Sequence, residues 1–440
     1  MPITPALSAA RMRRSLGVTT EKLANNSVTL GKIQQLQTDK FLGRTTAGTG
    51  NPEQVNQFLH MKVPGWTNGG HVTNFALLSG YLDGITRSNK NMGPGDFIQS
   101  FITHPAAGVI SNQGSILAPN GKIYLSPNYD TVLRYLDPVT DTIVSYGQIT
   151  KAQVNSPSTQ GGVLAPNGKI YFIPEGGITL GLVVDPSNNS YTFFNSNGHL
   201  VFPANTNLVE NAVLAPNGKI YVCCSTAAVG GIGKIVVIEP NNNNNCYTLT
   251  STLPAATDIN LGPNGFIYTH YNNVLYKIDP STETITAKTF TGFPSGGIGV
   301  SHYVSASNGF FYLPPLASSS FMAYIDPFSE TFSTYAMNPT FGIGSSVQGL
   351  LAPNGKIYCT PYNTTSIVVI DPEKNTVTSY AFPSISSIGA DGFWLSSQIS
   401  PQGNIYMDCF GAGAILKLSF YNNNNFNMNY LTCPFNNRGY

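Results

Sequence analysis

The side chains with which this chain could do acid–base or metal-assisted chemistry are few. They are the six histidines His60, His71, His104, His199, His270 and His302, and, in the repeat region, a few carboxylates outside repeated turns, among them Asp130, Glu175, Glu210, Asp258, Asp391 and Asp408. Turnover would require several of them to converge, usually around a divalent metal. No pair stands at a diagnostic spacing, and the sequence has no HExxH motif, nucleophile elbow or glycine-rich phosphate loop. His270 and His302 fall in neighbouring repeats, so a joint site between them is geometrically open. Cys223, Cys224, Cys246, Cys359, Cys409 and Cys433 lie at irregular spacing without a CxxC pair, which reads as reduced thiols filling strand positions rather than a metal or disulfide framework. No catalytic residue, metal or cofactor is assigned.

Binding chemistry has better candidates. Asn128, Tyr129 and Asp130, then His270, Tyr271 and Asn272, then Tyr362 and Asn363, form polar-aromatic groups at equivalent places in three segments. Tyrosine supplies a rigid amphipathic face and asparagine adaptable hydrogen bonds, a combination suited to stacking on sugar rings or docking a protein surface.

The elements that must position these groups are set by a repeat. The block LAPNGKIY, or a close variant, ends at Tyr124, Tyr171, Tyr221, Tyr268, Tyr312, Tyr358 and Tyr406, with separations of 47, 50, 47, 44, 46 and 48 residues. Four-stranded propeller blades have this period. In Ala118-Pro119-Asn120-Gly121 the proline fits the first central position of a type I turn and the glycine takes the left-handed position after it. This predicts a hairpin loop with a glycine bulge between strands A and B. A second mark, Asp-Pro or Glu-Pro at Asp137, Asp185, Glu239, Asp279, Asp326 and Asp371, predicts the turn between strands C and D, with the acid accepting turn amides. The run Asn241 to Asn245 falls in that turn, and Asn422 to Asn425 reads as its counterpart near the last unit, which lacks the Asp-Pro mark. Units that cannot bury their apolar faces alone must stack. The expected fold is all-β, a seven-bladed β-propeller of four-stranded blades over residues 106–440; an open β-solenoid is the alternative. The recurrent tyrosines read as blade-packing residues and the Asp-Pro carboxylates as turn acceptors. The A–B and C–D turns emerge on one face, which leaves the variable B–C and D–A connections, and the binding candidates with them, on the other.

Composition agrees. Only 10% of residues are charged and the formal net charge is +1, against about 25% charged in an ordinary domain. Neither a basic stripe for nucleic acid nor an apolar run for membrane insertion or a secretory signal is present.

Residues 1–60 differ, with seven Lys or Arg against three acids. Ala9 to Leu16, carrying Arg11, Arg13 and Arg14, reads either as a short basic helix that attaches to an acidic partner or as a solvated terminus. Residues 61–105 read as a linker or small packing region. Within the first module, Leu23-Ala24-Asn25-Asn26-Ser27-Val28-Thr29-Leu30-Gly31-Lys32-Ile33 is followed by Phe41-Leu42-Gly43-Arg44-Thr45-Thr46-Ala47-Gly48-Thr49-Gly50-Asn51-Pro52-Glu53. These two blocks resemble the shaft segment of tail-fibre and head-fibre proteins of phages and related viruses, whose pattern runs LADNSVTxxKI and then LGRTTAGTGxPE. Family shafts often repeat the first block; here it occurs once. The resemblance implies a virion structural protein, trimeric at this segment, bound to capsid or tail proteins through its N-terminus and displaying the propeller towards a host-surface glycan or protein. The repeat units are also similar to those of propeller lactonases and streptogramin lyases, which implies the alternative of a propeller enzyme, a lactonase, lyase or polysaccharide depolymerase. A non-viral interaction scaffold is the third reading.

Overall fold

The computed structural model describes residues 40–43, 53–56, 97–104, 111–128, 131–149, 159–174, 180–195, 207–226, 232–250, 253–254, 259–271, 273–292, 303–306, 308–314, 321–336, 346–352, 354–364, 366–381, 392–409 and 413–420. The chain divides into two units, residues 1–62 with 71–73, and residues 63–70 with 74–440. In the first, β1 (Lys40–Gly43) and β2 (Glu53–Asn56) pair antiparallel, with Lys40 opposite Asn56 and Gly43 opposite Glu53. The second block of the shaft-like sequence therefore runs from Phe41 in β1 to Glu53, the first residue of β2. Arg11, Arg13 and Arg14 lie outside the described residues.

The second unit opens with β3 (Phe97–Thr103). Blade 1 follows as β4 (Ser111–Leu117), β5 (Ile123–Asn128), β6 (Val132–Asp137) and β7 (Thr142–Gln148). Blade 2 is β8 (Thr159–Leu164), β9 (Ile170–Pro174), β10 (Leu180–Asp185) and β11 (Ser190–Asn195). Blade 3 is β12 (Asn207–Leu214), β13 (Ile220–Thr226), β14 (Ile232–Glu239) and β15 (Asn245–Thr248), with β16 (Leu253–Pro254) adding to the outer side of β14. Blade 4 is β17 (Asn260–Leu261), β18 (Ile267–Tyr271), β19 (Val274–Asp279) and β20 (Thr284–Thr289). Blade 5 is β21 (Val304–Ser305), β22 (Phe311–Leu313), β23 (Phe321–Asp326) and β24 (Thr331–Ala336). Blade 6 is β25 (Ser346–Leu351), β26 (Ile357–Thr364), β27 (Ser366–Asp371) and β28 (Thr376–Ala381). The last three strands are β29 (Gly392–Ile399), β30 (Ile405–Cys409) and β31 (Ala414–Phe420).

Each blade is an antiparallel meander, and the first strands of neighbouring blades lie against one another, β4 on β8, β8 on β12, β25 on β29, and β29 back on β4. The ring is closed. The seventh blade takes its outer strand from the other end of the chain: β3 pairs with β31 along its whole length, Phe97 opposite Phe420 and Thr103 opposite Ala414. Two expectations change as a result. The propeller includes Phe97–Thr103, ahead of the expected start at 106. The last unit lacks an Asp-Pro mark because its strand D arrives from β3, so no C–D turn follows β31, and the supposed counterpart turn at 422–425 lies outside the described residues.

The repeated turns form as their residue types dictate. Gly121 donates its amide to Ala118 O at 2.9 Å, and Ala118 and Lys122 close the bulge with a second bond of 2.9 Å. Gly121 has φ +80°, and the six equivalent glycines lie between +78° and +85°, a conformation without steric cost only for glycine. In the C–D turns Asp137, Asp185, Asp279, Asp326 and Asp371 each accept the amide two residues on at 2.8–3.2 Å. Hydrogen bonds from Ser187 hold the Asp185 carboxyl below its ordinary range.

The tyrosines that end each block are latches between blades. Tyr124, Tyr171, Tyr221, Tyr268, Tyr312 and Tyr406 are at most 1% exposed. Each projects across a seam into the C–D turn of the next blade. Tyr221, Tyr268 and Tyr312 donate to the proline carbonyls of Pro280, Pro327 and Pro372 at 3.3, 3.0 and 3.3 Å. Tyr124 and Tyr171 reach Asn189 and Asn244 at 2.5 and 2.6 Å, and Tyr406 reaches Asp141 at 2.7 Å, joining blade 7 to blade 1. Tyr358 faces the one blade without a C–D turn, and there its ring packs edge-on against Phe97 of β3 and Phe420 of β31.

Candidate functional site

Strand B passes the latch tyrosine and continues towards the irregular face, so the residue two positions on points across the same seam. In chain order this position holds Ser126, Ile173, Cys223, His270, Pro314, Thr360 and Asp408. Polar residues there bond across the inner ends of adjoining blades. Ser126 Oγ lies 2.7 Å from Thr159 Oγ1 and donates to Thr159 O at 3.0 Å, across blades 1 and 2. Thr360 donates to Ser397 at 3.3 Å, across blades 6 and 7. At the closing seam Asp408 Oδ2 accepts Ser396 Oγ at 2.6 Å and is bonded by Ser115 of β4, while Ser115 and Ser396 hydroxyls lie 3.3 Å apart. Gln398 Nε2 donates to Ser115 O at 2.8 Å. A polar belt thus runs through blades 6, 7, 1 and 2.

The backbone contributes to this arrangement. β4, β8, β12, β25 and β29 each carry a register shift in their first half, at 112/115, 159/162, 209/211, 346/348 and 394/397. Bulges at such places re-aim side chains. Asp408 is the only carboxylate among the described buried side chains, and burial pushes its carboxyl up to about 7.

The binding candidates divide. Asn128 ends β5, while Tyr129, Asp130 and Asn272 lie outside the described residues. His270 sits within β18 rather than in a connection, 7% exposed, its ring centroid 4.9 Å from that of Tyr303 in blade 5. Tyr271 is half-buried at the end of β18, opposite Val274. Tyr362 and Asn363 belong to the long β26, whose end pairs with the first strand of blade 7, Tyr362 opposite Phe393. His302, for which a joint site with His270 was geometrically open, is outside the described residues. Among the described residues no three His, Cys, Asp or Glu side chains cluster to hold a metal. Cys223, Cys224, Cys246 and Cys359 are buried and not joined in disulfides, as expected of strand-filling thiols, and burial pushes Cys224 and Cys246 up to about 12.

Asp408 was visible in the sequence as a non-turn carboxylate, but its importance was not. Aligning the seven repeats on their tyrosines would have shown it as the one carboxylate at this position.

No protein-family profile matches this sequence, and no curated protein matches it. Solved structures do. A streptogramin B lyase superposes with TM-score 0.57 at 15% identity over 74% of this chain and 98% of that one. A catalytically inactive virginiamycin B lyase from Staphylococcus aureus, with quinupristin, gives 0.56 at 14% identity over 74% and 100%. The β-propeller domain of Cps50 (Swd1) from Myceliophteria thermophila gives 0.51 at 11% identity over 74% and 100%. At these identities the likeness is one of fold, shared by a lyase and the Cps50 (Swd1) propeller domain alike: this chain carries a seven-bladed β-propeller of the architecture seen in streptogramin lyases.

Proposed function

We propose that this protein is a fibre or decoration component of a virus-like particle, anchored through its N-terminal segment and displaying the propeller for binding a host-surface glycan or protein. The observation that carries the reading is the shaft-like sequence from Leu23 to Glu53, placed ahead of β3 in a chain whose repeat units are low in charge. The architecture suits display, because β3 ties the chain following that segment into the closing blade along seven residues. Capsid or tail proteins would be the partners of residues 1–60, with trimerisation at the shaft-like segment, and the irregular face carrying Tyr129, Tyr271 and Tyr362 would meet the ligand.

Peptide mass spectrometry and antibody labelling of purified particles test this. Detection at fixed stoichiometry, lost when residues 1–60 are deleted while the propeller still folds, is the expected result. Absence from particles sinks it. Turnover of host polysaccharide by the isolated protein would instead favour the enzyme reading.

A further inference from the structure

The carboxyl of Asp408 is fully buried, with 0% exposure, at the seam where the ring closes. Its Oδ2 is held by Ser396 and Ser115, while Oδ1 has no hydrogen-bond partner. An ionised carboxylate in that setting is costly unless a cation or donor meets it. The two serine hydroxyls meet Oδ2 alone, and the described strands around it bring no cation to Oδ1; the other titratable residues of β30 (IYMDC) are Tyr406 and Cys409. β29 (GFWLSSQI) and β4 (SNQGSIL) contain no titratable residue. The lone cation of β31, Lys417, is engaged elsewhere: its ammonium bonds Asp141 at 2.5 Å and lies over the Tyr406 ring.

We propose that Asp408 is a buried proton-binding site that controls how firmly the last blade closes on the first, with the proton holding the seam shut and its loss favouring opening. When the seam opens, the carboxyl meets water and ionises at an ordinary carboxylate value. The closed state binds the proton more tightly than the open state. The sign follows: the raised closed-state value makes closure strongest at low pH, weakens it as pH rises from about 4 towards about 7, and adds no further change above. β3 is tied to this blade through β31, the strand that pairs with Asp408's own β30.

Hydrogen exchange of the full chain across pH 4 to 8.5, corrected for intrinsic rates, reads the opening of β3, β31 and β4. In the wild type the opening equilibrium should rise by up to about tenfold per pH unit between pH 4 and 7 and then level. In Asp408→Asn that rise should vanish. Equal profiles in the two proteins would overturn the proposal. So would a wild-type profile that shifts on adding Ca²⁺ or Mg²⁺ or on treatment with EDTA, since the carboxylate would then have a cation as its partner. Should Asp408→Asn not fold, Ser396→Ala and Ser115→Ala remove donors to the ionised form and should move the wild-type levelling point to higher pH; an unmoved point counts against it.

Discussion

The Tyr268 hydroxyl of blade 4 donates to the Pro327 carbonyl of blade 5 at 3.0 Å, and Asn264 Nδ2 donates both to that carbonyl at 3.1 Å and to the tyrosine hydroxyl at 2.7 Å. The two sequence marks of the repeat, Asn-Gly and Asp-Pro, are therefore halves of one contact made between consecutive units. Asn120 with Pro186 and Asn217 with Pro280, each at 2.7 Å, repeat it at other seams.

Tyr268→Phe keeps the ring and removes the hydroxyl, which is buried between partners. The expected loss is about 1–2 kcal/mol, the range for a broken buried hydrogen bond. Tyr268→Ala adds a cavity and should cost about 3–5 kcal/mol. Denaturant unfolding with unchanged slope measures both.

In the C–D turns the left-handed position carries a polar side chain instead of glycine. Asn189 has φ +59° and receives Tyr124, whereas Asn375 has φ +52° and is exposed. Asn189→Gly should cost about 1–2 kcal/mol through the lost latch. Asn375→Gly should stay within about 0.5 kcal/mol of wild type. Thermal melts of the pair separate the backbone effect from the latch.

Ring closure depends on β3. A chain starting at residue 95 should give a cooperative thermal transition, and one starting at 106 should not, because it leaves β31 without its partner strand and Tyr358 without Phe97. Circular dichroism and size exclusion compare them directly.

Glu239 accepts Asn245 and Asn242 side chains, at 3.0 and 2.8 Å, and Lys219 lies 3.1 Å away; these hold its carboxyl down to about 2, from an ordinary value of 4.5. Its contribution is present above pH 4.5 and lost as pH falls towards 2. Glu239→Gln should therefore flatten the acid side of the stability profile in that window, measured as the unfolding midpoint against pH, and leave the slope between pH 5 and 7 unchanged.

Much of the ring was legible because the chemistry that builds it is local. A proline fixes its own φ, a glycine after Asn admits the left-handed turn, and an acid before proline captures the amide two residues on, so Ala118-Pro119-Asn120-Gly121 and Asp137-Pro138 announce their hairpins without help from the rest of the chain. Repetition at a blade's period then dictates stacking. What the tertiary structure decided involves residues far apart in sequence. Nothing around Phe97 marks it as the outer strand of the blade ended by Phe420, since an edge strand is defined by its partner. Nothing in Tyr358 shows that it alone meets β3 in place of a turn. His270 and Tyr362 sit in strands because pairing with Leu275 and Phe393 continued past the point where the turn residues suggested a loop. Asp408 is a carboxylate like any other until closure of the ring sets Ser115 beside it, from nearly three hundred residues away, and buries its carboxyl.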